Sequence, residues 1–259
     1  MRTLTAFLSS GKLPGLAAQT TMSPTGRMDD SYEPDPAHAR RSAVLIVLYS
    51  GDVEAGRQAQ AQHRKGAQAR HGQGAQARHG QGAGIPGREK AWLNESRAAV
   101  DVFFPAIVRA TDGSPHSGQI GLPGGAAEEG EVFPVETALR EAYEEIGLDA
   151  GSVAVLGTLT PLYIPVSNYS VTPVVAASRD RTRPAMARDA QEVEEIIDLS
   201  ANSLSNTRSE DMFDTPLGRI AAPCYRALDS AGVERCVWGA TAMMLAEFLI
   251  CHEAALSEV

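Results

Sequence analysis

A group of carboxylates near the middle of the chain is the part of this sequence best suited to chemistry. In "REAYEE", Arg140 and Glu141 are followed by Glu144 and Glu145. Glu141 and Glu145 would share one face of a helix, with Glu144 beside them. Like charges at this spacing destabilise a helix by about 0.2–0.5 kcal/mol per pair. The group is therefore either a solvated acidic face or a site that gathers cations.

A glycine-rich turn ahead of the carboxylates favours the cation site. "LPGG" (Leu122–Gly125) lets the backbone turn sharply and approach another group closely. Carboxylates and backbone carbonyls are the hard oxygen donors that Mg²⁺ and Mn²⁺ prefer. Such ions bridge to substrate phosphates, polarise P–O bonds and lower the pKa of an attacking water. We therefore expect Mg²⁺ or Mn²⁺ and a diphosphate at this segment.

The pattern of apolar residues indicates which elements position this segment. Pro134–Gly147 predicts a helix that ends at Gly147, and Val237–Leu256 predicts a long apolar helix. The stretch from His116 to Gly125 predicts strand or turn leading into a loop. Further strands are predicted at Ser42–Ser50, at Arg97–Ala110 and in "VAVLGTLTPLYIP", "YSVTPVVAAS" and "EVEEIIDLS". This order predicts an α+β fold, an α/β/α sandwich around a mixed sheet.

The chain is predicted to form one domain, at 41–259, after a partly ordered lead-in at 1–40. The stretch at about 52–87 holds hardly any large apolar residue and contains "GAQARHGQ" twice in tandem. Such a segment cannot offset its ordering entropy by burial, so we expect a disordered surface insertion. The alternative is that His63, His71 and His79, evenly spaced, bind a metal or a polyanion.

Composition limits the partners and the cellular location. The net charge is -9 and the pI about 5.2, which argues against a broad surface for nucleic acid. Cys224, Cys236 and Cys251 show neither a disulfide framework nor zinc spacing. No apolar run is expected to reach the roughly 18 residues of a spanning helix, and the first residues make a weak signal peptide. We expect a cytoplasmic protein with reduced thiols and no membrane partner.

With its flanks, the carboxylate segment resembles the box of the Nudix hydrolases. In "GG…E…TALREAYEEIGL" the family's glycine, glutamate, Arg-Glu and Glu-Glu follow in order, and Arg140–Leu148 match completely. One spacing departs, because eight residues separate Glu131 from Arg140 where seven are commonest. The longer spacing resembles the coenzyme A pyrophosphatase branch. The resemblance implies a Nudix fold, a mixed β-sheet between helices with the box as a loop–helix–loop.

The resemblance implies that a water attacks a pyrophosphate linkage at this box. Arg140 would orient the glutamates by charge-assisted hydrogen bonds. The implied catalytic residues are Glu144, Glu145 and Arg140, and the implied metal ligands are Glu141, Glu145, Glu144, Gly125 and Glu192. The Gly124–Gly125 region would lend its carbonyl, and Glu195 is the alternative to Glu192 as the ligand from a distant segment.

Further segments resemble coenzyme A pyrophosphatase-like proteins. They are "KLPGLAAQTTMSPTGR", "HSGQIGLPGG", "TPLYIPVSNYSVTP" and "VWGATAMML". The implied substrate is coenzyme A or acyl-CoA, cleaved to 3′,5′-ADP and 4′-phosphopantetheine. Arg109 matches an arginine of that branch's signature, whereas Ser114 and Leu122 stand where it has arginine and phenylalanine. Losing that arginine could weaken binding of a 3′-phosphate, although both changes could equally be harmless.

Candidate substrate contacts are Arg109, His116, Gln119, Tyr163 and Asn168. For His116 the alternative is to stabilise a turn, and for Tyr163 and Asn168 it is core or turn packing. Other substrates left open are ADP-ribose, a dinucleotide or a nucleoside triphosphate. A different class is a non-catalytic Nudix-fold module that binds a nucleotide or a protein. Because Nudix relatives are often dimers, a homodimer is also expected.

Overall fold

The computed structural model describes residues 2–24, 38–52, 100–110, 118–215, 218–229 and 232–257. Its helices are α1 (Arg2–Ser9), α2 (Gly15–Gln19), α3 (Val135–Ile146), α4 (Ala201–Ser205) and α5 (Gly239–Ser257), with short 3-10 helices at Thr20–Met22, Ala150–Ser152 and Pro165–Ser167. Its strands are β1 (Arg40–Asp52), β2 (Val100–Arg109), β3 (Ile120–Gly121), β4 (Gly124–Ala126), β5 (Val153–Thr158), β6 (Leu162–Ile164), β7 (Tyr169–Ser178), β8 (Val193–Ser200), β9 (Arg208–Thr215), β10 (Gly218–Leu228) and β11 (Glu234–Trp238). The mixed sheet and the helices confirm the predicted α+β class.

Strand β1 is the centre of the mixed sheet. It runs parallel to β7 from Arg40 to Leu48. Its other edge is shared, because β4 pairs with Ser42–Val44 and β2 pairs with Tyr49–Asp52, both antiparallel. Strand β2 then leaves β1 and pairs with β3 and β8. The glycine turn thus lies at the β4 end of this edge, before the part of β1 that pairs with β2.

The two faces of β1 are both buried, which explains its continuous apolar run. Ala43, Leu45 and Val47 pack in one apolar cluster with the core-facing residues of α3. Val44 and Ile46 pack in the second cluster with residues of α5. Helix α3 is shorter than predicted by one residue at each end, because Pro134 and Gly147 are its caps, and Gly147 has φ 63°, the left-handed conformation that glycine adopts readily.

A second sheet, of β9, β10 and β11, lies outside what the sequence predicted. Its strands are antiparallel in the order β11-β10-β9. Val237 and Trp238 pair with Tyr225 and Cys224 in this sheet, so α5 begins two residues later than predicted. Cys224, Cys236 and Cys251 are free thiols, as expected.

Helix α5 corrects one expectation about apolar runs. By length and composition alone it could cross a membrane, so the expectation that no run reaches this limit is wrong. More than half of the helix is buried inside the fold, against α1, α2 and strand β10. This burial is typical of a core helix.

The lead-in is anchored to α5 by one buried carboxylate. Glu247 is fully buried and accepts hydrogen bonds from the Gly15 N–H at 3.2 Å and the Gln19 side chain at 2.8 Å. It also accepts from the Thr160 hydroxyl at 2.7 Å and the Thr160 N–H at 3.3 Å. Residues 2–24 therefore pack as part of the domain. The proposed insertion, with its three histidines, lies outside the described residues beyond Asp52.

Candidate active site

Arg140 joins the glycine turn to the carboxylates of α3. Its guanidinium donates to Glu131 at 2.7 Å and to the Ala126 carbonyl at 2.9 Å. It also contacts one carboxylate oxygen of Glu144 at 2.8 Å and one of Glu141 at 2.9 Å. These contacts are of the kind that the orienting role implied for Arg140 by the resemblance would need, and both Glu131 and the Ala126 carbonyl are partners that the resemblance did not name.

The first of these partners, Glu131, is held from three sides. Besides Arg140 it accepts from the Thr137 hydroxyl at 2.6 Å and from the Glu128 N–H at 2.8 Å. The hydrogen bond from Thr137, then those from Glu128 and Arg140, lower the pKa of Glu131 to about 2. Glu131 therefore acts as the fixed anion that holds the Arg140 fork. Sequence analysis named it only as a spacing marker.

Glu145 is the most buried acidic side chain of the group, at 3% exposure. Its Oε2 accepts the Gly124 N–H at 2.8 Å. Burial raises the pKa of Glu145 to about 7, the Gly124 N–H and Arg109 oppose the rise, and Glu141 and Glu192 add to it. The named residues that surround Glu145 therefore carry more negative than positive charge.

Glu141 packs directly against the glycine turn. A Cβ added to Gly125 would lie 2.4 Å from Glu141 Oε1, so any larger residue would displace this carboxylate. Burial raises the pKa of Glu141, Arg140 opposes the rise, and Glu144 and Glu192 add to it. The second glycine of the turn is thus needed for close approach.

The strand register directs the backbone groups of Gly125 toward β1 and those of Gly124 away from it. Leu45 donates to the Pro123 carbonyl and Ala127 to the Arg41 carbonyl, so Gly125 lies in a hydrogen-bonded pair with Ala43. The Gly125 carbonyl also accepts the Ser42 hydroxyl at 2.6 Å. The backbone of Gly124 points away from β1, since its N–H reaches Glu145. This register favours the Gly124 carbonyl over the predicted Gly125 carbonyl as a ligand.

Strands β2 and β8 bring Arg109 and Glu192 to the same place. Ala110 donates to the Glu192 carbonyl at 2.9 Å, and Arg109 pairs with Val193 after a bulge. A Cβ added to Gly121 would lie 3.6 Å from the Arg109 guanidinium, which therefore lies beside β3. Of the two glutamates considered at this position, Glu192 contributes to the raised pKa of both Glu141 and Glu145, whereas Glu195 lies opposite Val108 in the β2–β8 pair.

Comparisons with known proteins show what the segment that carries this site is similar to. A family model described as the NUDIX domain matches residues 106–211. Residues 106–211 therefore contain a Nudix domain. It is 47% identical over 75 residues to the "Uncharacterized Nudix hydrolase NudL" of Pectobacterium atrosepticum, covering 29% of this chain and 38% of that protein. Over 140 residues it is 34% identical to "Nudix hydrolase 15, mitochondrial" of Arabidopsis thaliana, covering 53% of this chain and 48% of that protein.

The chain therefore spans less than half the length of these two curated relatives. Among solved structures it is similar to a Nudix hydrolase from M. smegmatis, with 13% identity, a TM-score of 0.42, and coverage of 83% of this chain and 87% of that chain.

Three carboxylates of the Nudix box each have one oxygen atom that is available to a cation in the described part of the chain. Hydrogen bonds engage one oxygen each of Glu141, Glu144 and Glu145, and none within the described residues engages the other. In the described ranges no three acidic, imidazole or thiol groups stand close enough to hold a cation as they are placed. The donors are nonetheless the hard oxygens that suit Mg²⁺ or Mn²⁺, and the surplus of negative charge fits a divalent ion.

The predicted substrate contacts of this Nudix domain fall into two groups. Arg109 lies at the box, and Gln119 is next to it because its carbonyl accepts the Arg109 N–H at 3.0 Å. Tyr163 and Asn168 instead bond to each other at 3.0 Å within the β6–β7 turn, where Asn168 has φ 52°. The turn role left open for this pair is thus present. His116 lies outside the described residues.

Proposed function

We propose that this chain is a Mg²⁺- or Mn²⁺-dependent pyrophosphohydrolase that cleaves the diphosphate of a nucleoside diphosphate derivative. The observation that carries the proposal is that Glu141 and Glu145 both pack against the glycine turn, where burial and neighbouring carboxylates raise the pKa of each. Repelling buried charges destabilise a fold unless a cation compensates them. A divalent ion supplies that charge and polarises the phosphate oxygens.

Each box residue has a defined task in this proposal. Glu141, Glu145 and Glu192 would hold the cation through carboxylate oxygens, with the Gly124 carbonyl as a backbone donor. Arg140 keeps the carboxylates in place by its contacts to Glu141 and Glu144. The side chain of Glu144 is 52% exposed and Arg140 binds only its Oε2, so Oε1 is available to take a proton from the attacking water. Positioning and electrostatics would supply most of the rate enhancement.

Coenzyme A or an acyl-CoA is the substrate we propose, with 3′,5′-ADP and 4′-phosphopantetheine or its acyl form as products. The support is the resemblance of four segments to that branch of the family. The lead-in segment among them is anchored in the domain by Glu247. Leu122 is 2% exposed in the core, so its difference from phenylalanine changes core packing.

ADP-ribose, a dinucleotide or a nucleoside triphosphate is the alternative substrate. The observation that favours it is Ser114, since the missing guanidinium would remove a partner of the 3′-phosphate. A non-catalytic nucleotide-binding module is the alternative class. The unused carboxylate oxygens of Glu141, Glu144 and Glu145 argue against it, because a binder without metal chemistry has no need of them.

Both the enzyme class and the substrate can be tested with a panel of nucleoside diphosphate derivatives. The panel is assayed with Mg²⁺ and then with Mn²⁺, and the products are identified by mass. Coenzyme A should give a 3′-phosphorylated adenylate, and addition of EDTA should abolish turnover. Cleavage of ADP-ribose but not coenzyme A would overturn the substrate and keep the enzyme class. Nucleotide binding without turnover of any compound would favour the module.

We also propose a cytoplasmic location and a homodimer. The free thiols support the first, since reducing compartments keep cysteines unpaired. The homodimer is proposed only because Nudix relatives are often dimers. Light scattering on the purified chain tests the dimer, and fractionation of the native host tests the location.

A further inference from the structure

Arg41 lies at the start of the central strand β1, beside the glycine turn of the Nudix box. The Arg41 carbonyl accepts the Ala127 N–H at 2.9 Å, and two residues later Ala43 pairs with Gly125. Because side chains alternate between the two faces of a strand, Arg41 and Ala43 are on the same face. Arg41 is thus one side-chain position away from the Ala43–Gly125 pair, about 7 Å along the strand.

This face of the sheet is the one that the box helix α3 covers. Ala43 packs in the apolar cluster that includes residues of α3, and a Cβ on Gly125 would meet the Glu141 carboxylate. The Arg41 guanidinium lies over the ring of Phe133, 4.9 Å from its centroid, in the loop that leads into α3. A cation–π contact of this kind restrains the Arg41 side chain at the edge of the box.

The guanidinium donors of Arg41 are unused in the described part of the chain. The side chain is exposed, and no described carboxylate or carbonyl accepts a hydrogen bond from it. Arg140 differs, because its guanidinium is occupied by Glu131, Glu141 and Glu144. Arg41 therefore brings to the edge of the box a planar set of donors of the kind that suits a phosphate.

We propose that Arg41 is a specificity-determining residue that binds a phosphate group which the substrate carries in addition to the scissile diphosphate. The inference rests on the proposed function, since its ligand is part of the substrate. In coenzyme A the additional group is the 3′-phosphate, which one ribose joins to the diphosphate, and in a nucleoside triphosphate it is the third phosphate. ADP-ribose has no such group, so Arg41 selects against it. In coenzyme A binding, Arg41 compensates for the guanidinium that is missing at Ser114.

Arg40 offers a matched control one residue earlier on β1. Its guanidinium also lies over an aromatic ring, that of Tyr169, at 4.2 Å from the centroid. Because side chains alternate along the strand, Arg40 is on the opposite face of the sheet, where it donates to the Ser167 carbonyl at 3.3 Å. Replacing Arg40 therefore removes the same charge and the same kind of ring contact, away from the face that α3 covers.

The test compares coenzyme A with 3′-dephospho-coenzyme A, and ATP with ADP, as substrates of the full-length chain with Mg²⁺. For a 3′-phosphate ligand, Arg41→Met should lower kcat/KM for coenzyme A about tenfold to a hundredfold, mainly through KM, as loss of a hydrogen bond to a charged group does. The value for 3′-dephospho-coenzyme A should not change. The same pattern for ATP against ADP, with coenzyme A unaffected, would identify the third phosphate as the ligand.

Two further variants separate recognition of phosphate from a structural role. Arg41→Lys keeps the charge without the planar donors, so it should recover part of the loss. Arg40→Met should give the substrate ratios of the wild type. Both arginines are exposed, so urea unfolding midpoints should be closely similar for all four proteins. If Arg41→Met does not fold, the substrate ratios of Arg41→Lys decide between the two roles.

Equal losses for both members of each substrate pair, or no loss at all, would overturn the inference and leave the proposed function standing. A wild type that cleaves ADP-ribose but neither coenzyme A nor ATP would have the same consequence. A wild type that hydrolyses none of these compounds would refute the proposed function. Calorimetry with 3′,5′-ADP and 5′-AMP in EDTA would then decide whether Arg41 binds a phosphate. A preference for 3′,5′-ADP that Arg41→Met abolishes would support the contact, and any other result would overturn it.

Discussion

Glu145 Oε2 accepts the Gly124 N–H at 2.8 Å, and this bond fixes a buried carboxylate of helix α3 to the first glycine of the turn before it. The bond forms because Gly124 lies with φ +156° against β1, where a Cβ would come within 2.3 Å of the Ala43 carbonyl. Glycine permits the approach, and the approach brings a backbone N–H to the carboxylate. Helix and turn are thereby held in one arrangement before any cation binds.

Glu145→Gln should lower the hydrolytic rate by about two orders of magnitude or more, as removal of an electrostatic catalytic group does. The amide keeps the size of the side chain and can still accept from Gly124. The free energy of unfolding in EDTA should be equal to that of wild type or higher, because the variant no longer buries a charge. Steady-state rates with Mg²⁺ check the first expectation, and a variant with wild-type turnover would contradict it.

The two neighbouring glycines should respond differently to alanine. In Gly125→Ala the new Cβ meets the end of the Glu141 side chain at 2.4 Å, which can move. Mn²⁺ affinity should therefore fall about tenfold or more while the fold persists. In Gly124→Ala the new Cβ meets the Ala43 carbonyl at 2.3 Å, which is backbone, so the protein should be destabilised by about 1–3 kcal/mol.

Gly121→Ala is the control for this pair. Its Cβ would find the Arg109 guanidinium at 3.6 Å, an ordinary contact. Mn²⁺ titration and urea unfolding of the three variants separate the effects. Equal Mn²⁺ affinity in Gly125→Ala and wild type would show that Glu141 is not where the cation binds.

Glu247→Ala should cost about 3 kcal/mol or more in the free energy of unfolding. The change leaves buried donors of Gly15, Gln19 and Thr160 without an acceptor, each at a cost of about 1–3 kcal/mol, only part of which water can recover. Glu253→Ala, on the exposed side of the same helix, should change it by less than about 0.5 kcal/mol. Urea unfolding at pH 7 checks both, and similar losses in the two variants would show that the buried network contributes little.

The buried His252 should make the fold sensitive to acid. Burial lowers the pKa of His252 below its ordinary value of 6.5, and Asp101 partly opposes the shift. A base whose pKa is lower in the folded state binds protons more readily when unfolded, so the free energy of unfolding decreases as the pH falls through 6.5. His252→Gln should remove this component. Unfolding midpoints between pH 8 and pH 5 measure it, and parallel curves for variant and wild type would refute the assignment.

The sequence predicted the box helix because its signals are local. Apolar spacing and Gly147 mark the bounds of α3, and the resemblance supplied Arg140 and the glutamates. The contact between Arg140 and Glu131 spans a loop, and helical spacing carries no information about it. The choice between Glu192 and Glu195 depends on a bulge near Arg109, which no local pattern reveals.

Strands β9 to β11 were missed for a related reason. The segment Arg208–Thr215 alternates between exposed and half-buried residues, so its apolar signal is weak on both faces. Val237 and Trp238 extend the apolar run of α5 in sequence, and only pairing with β10 assigns them to a strand. These residues form strands because they pair with residues distant in the sequence, and this pairing outweighs their local secondary-structure preference.

The most direct test of the account is anomalous diffraction from crystals soaked in MnCl₂ at the manganese edge. The account predicts an anomalous peak between the carboxylates of Glu141 and Glu145, next to the Gly124–Gly125 turn. Absence of any peak there, with Glu141 and Glu145 directed apart into solvent, would contradict it.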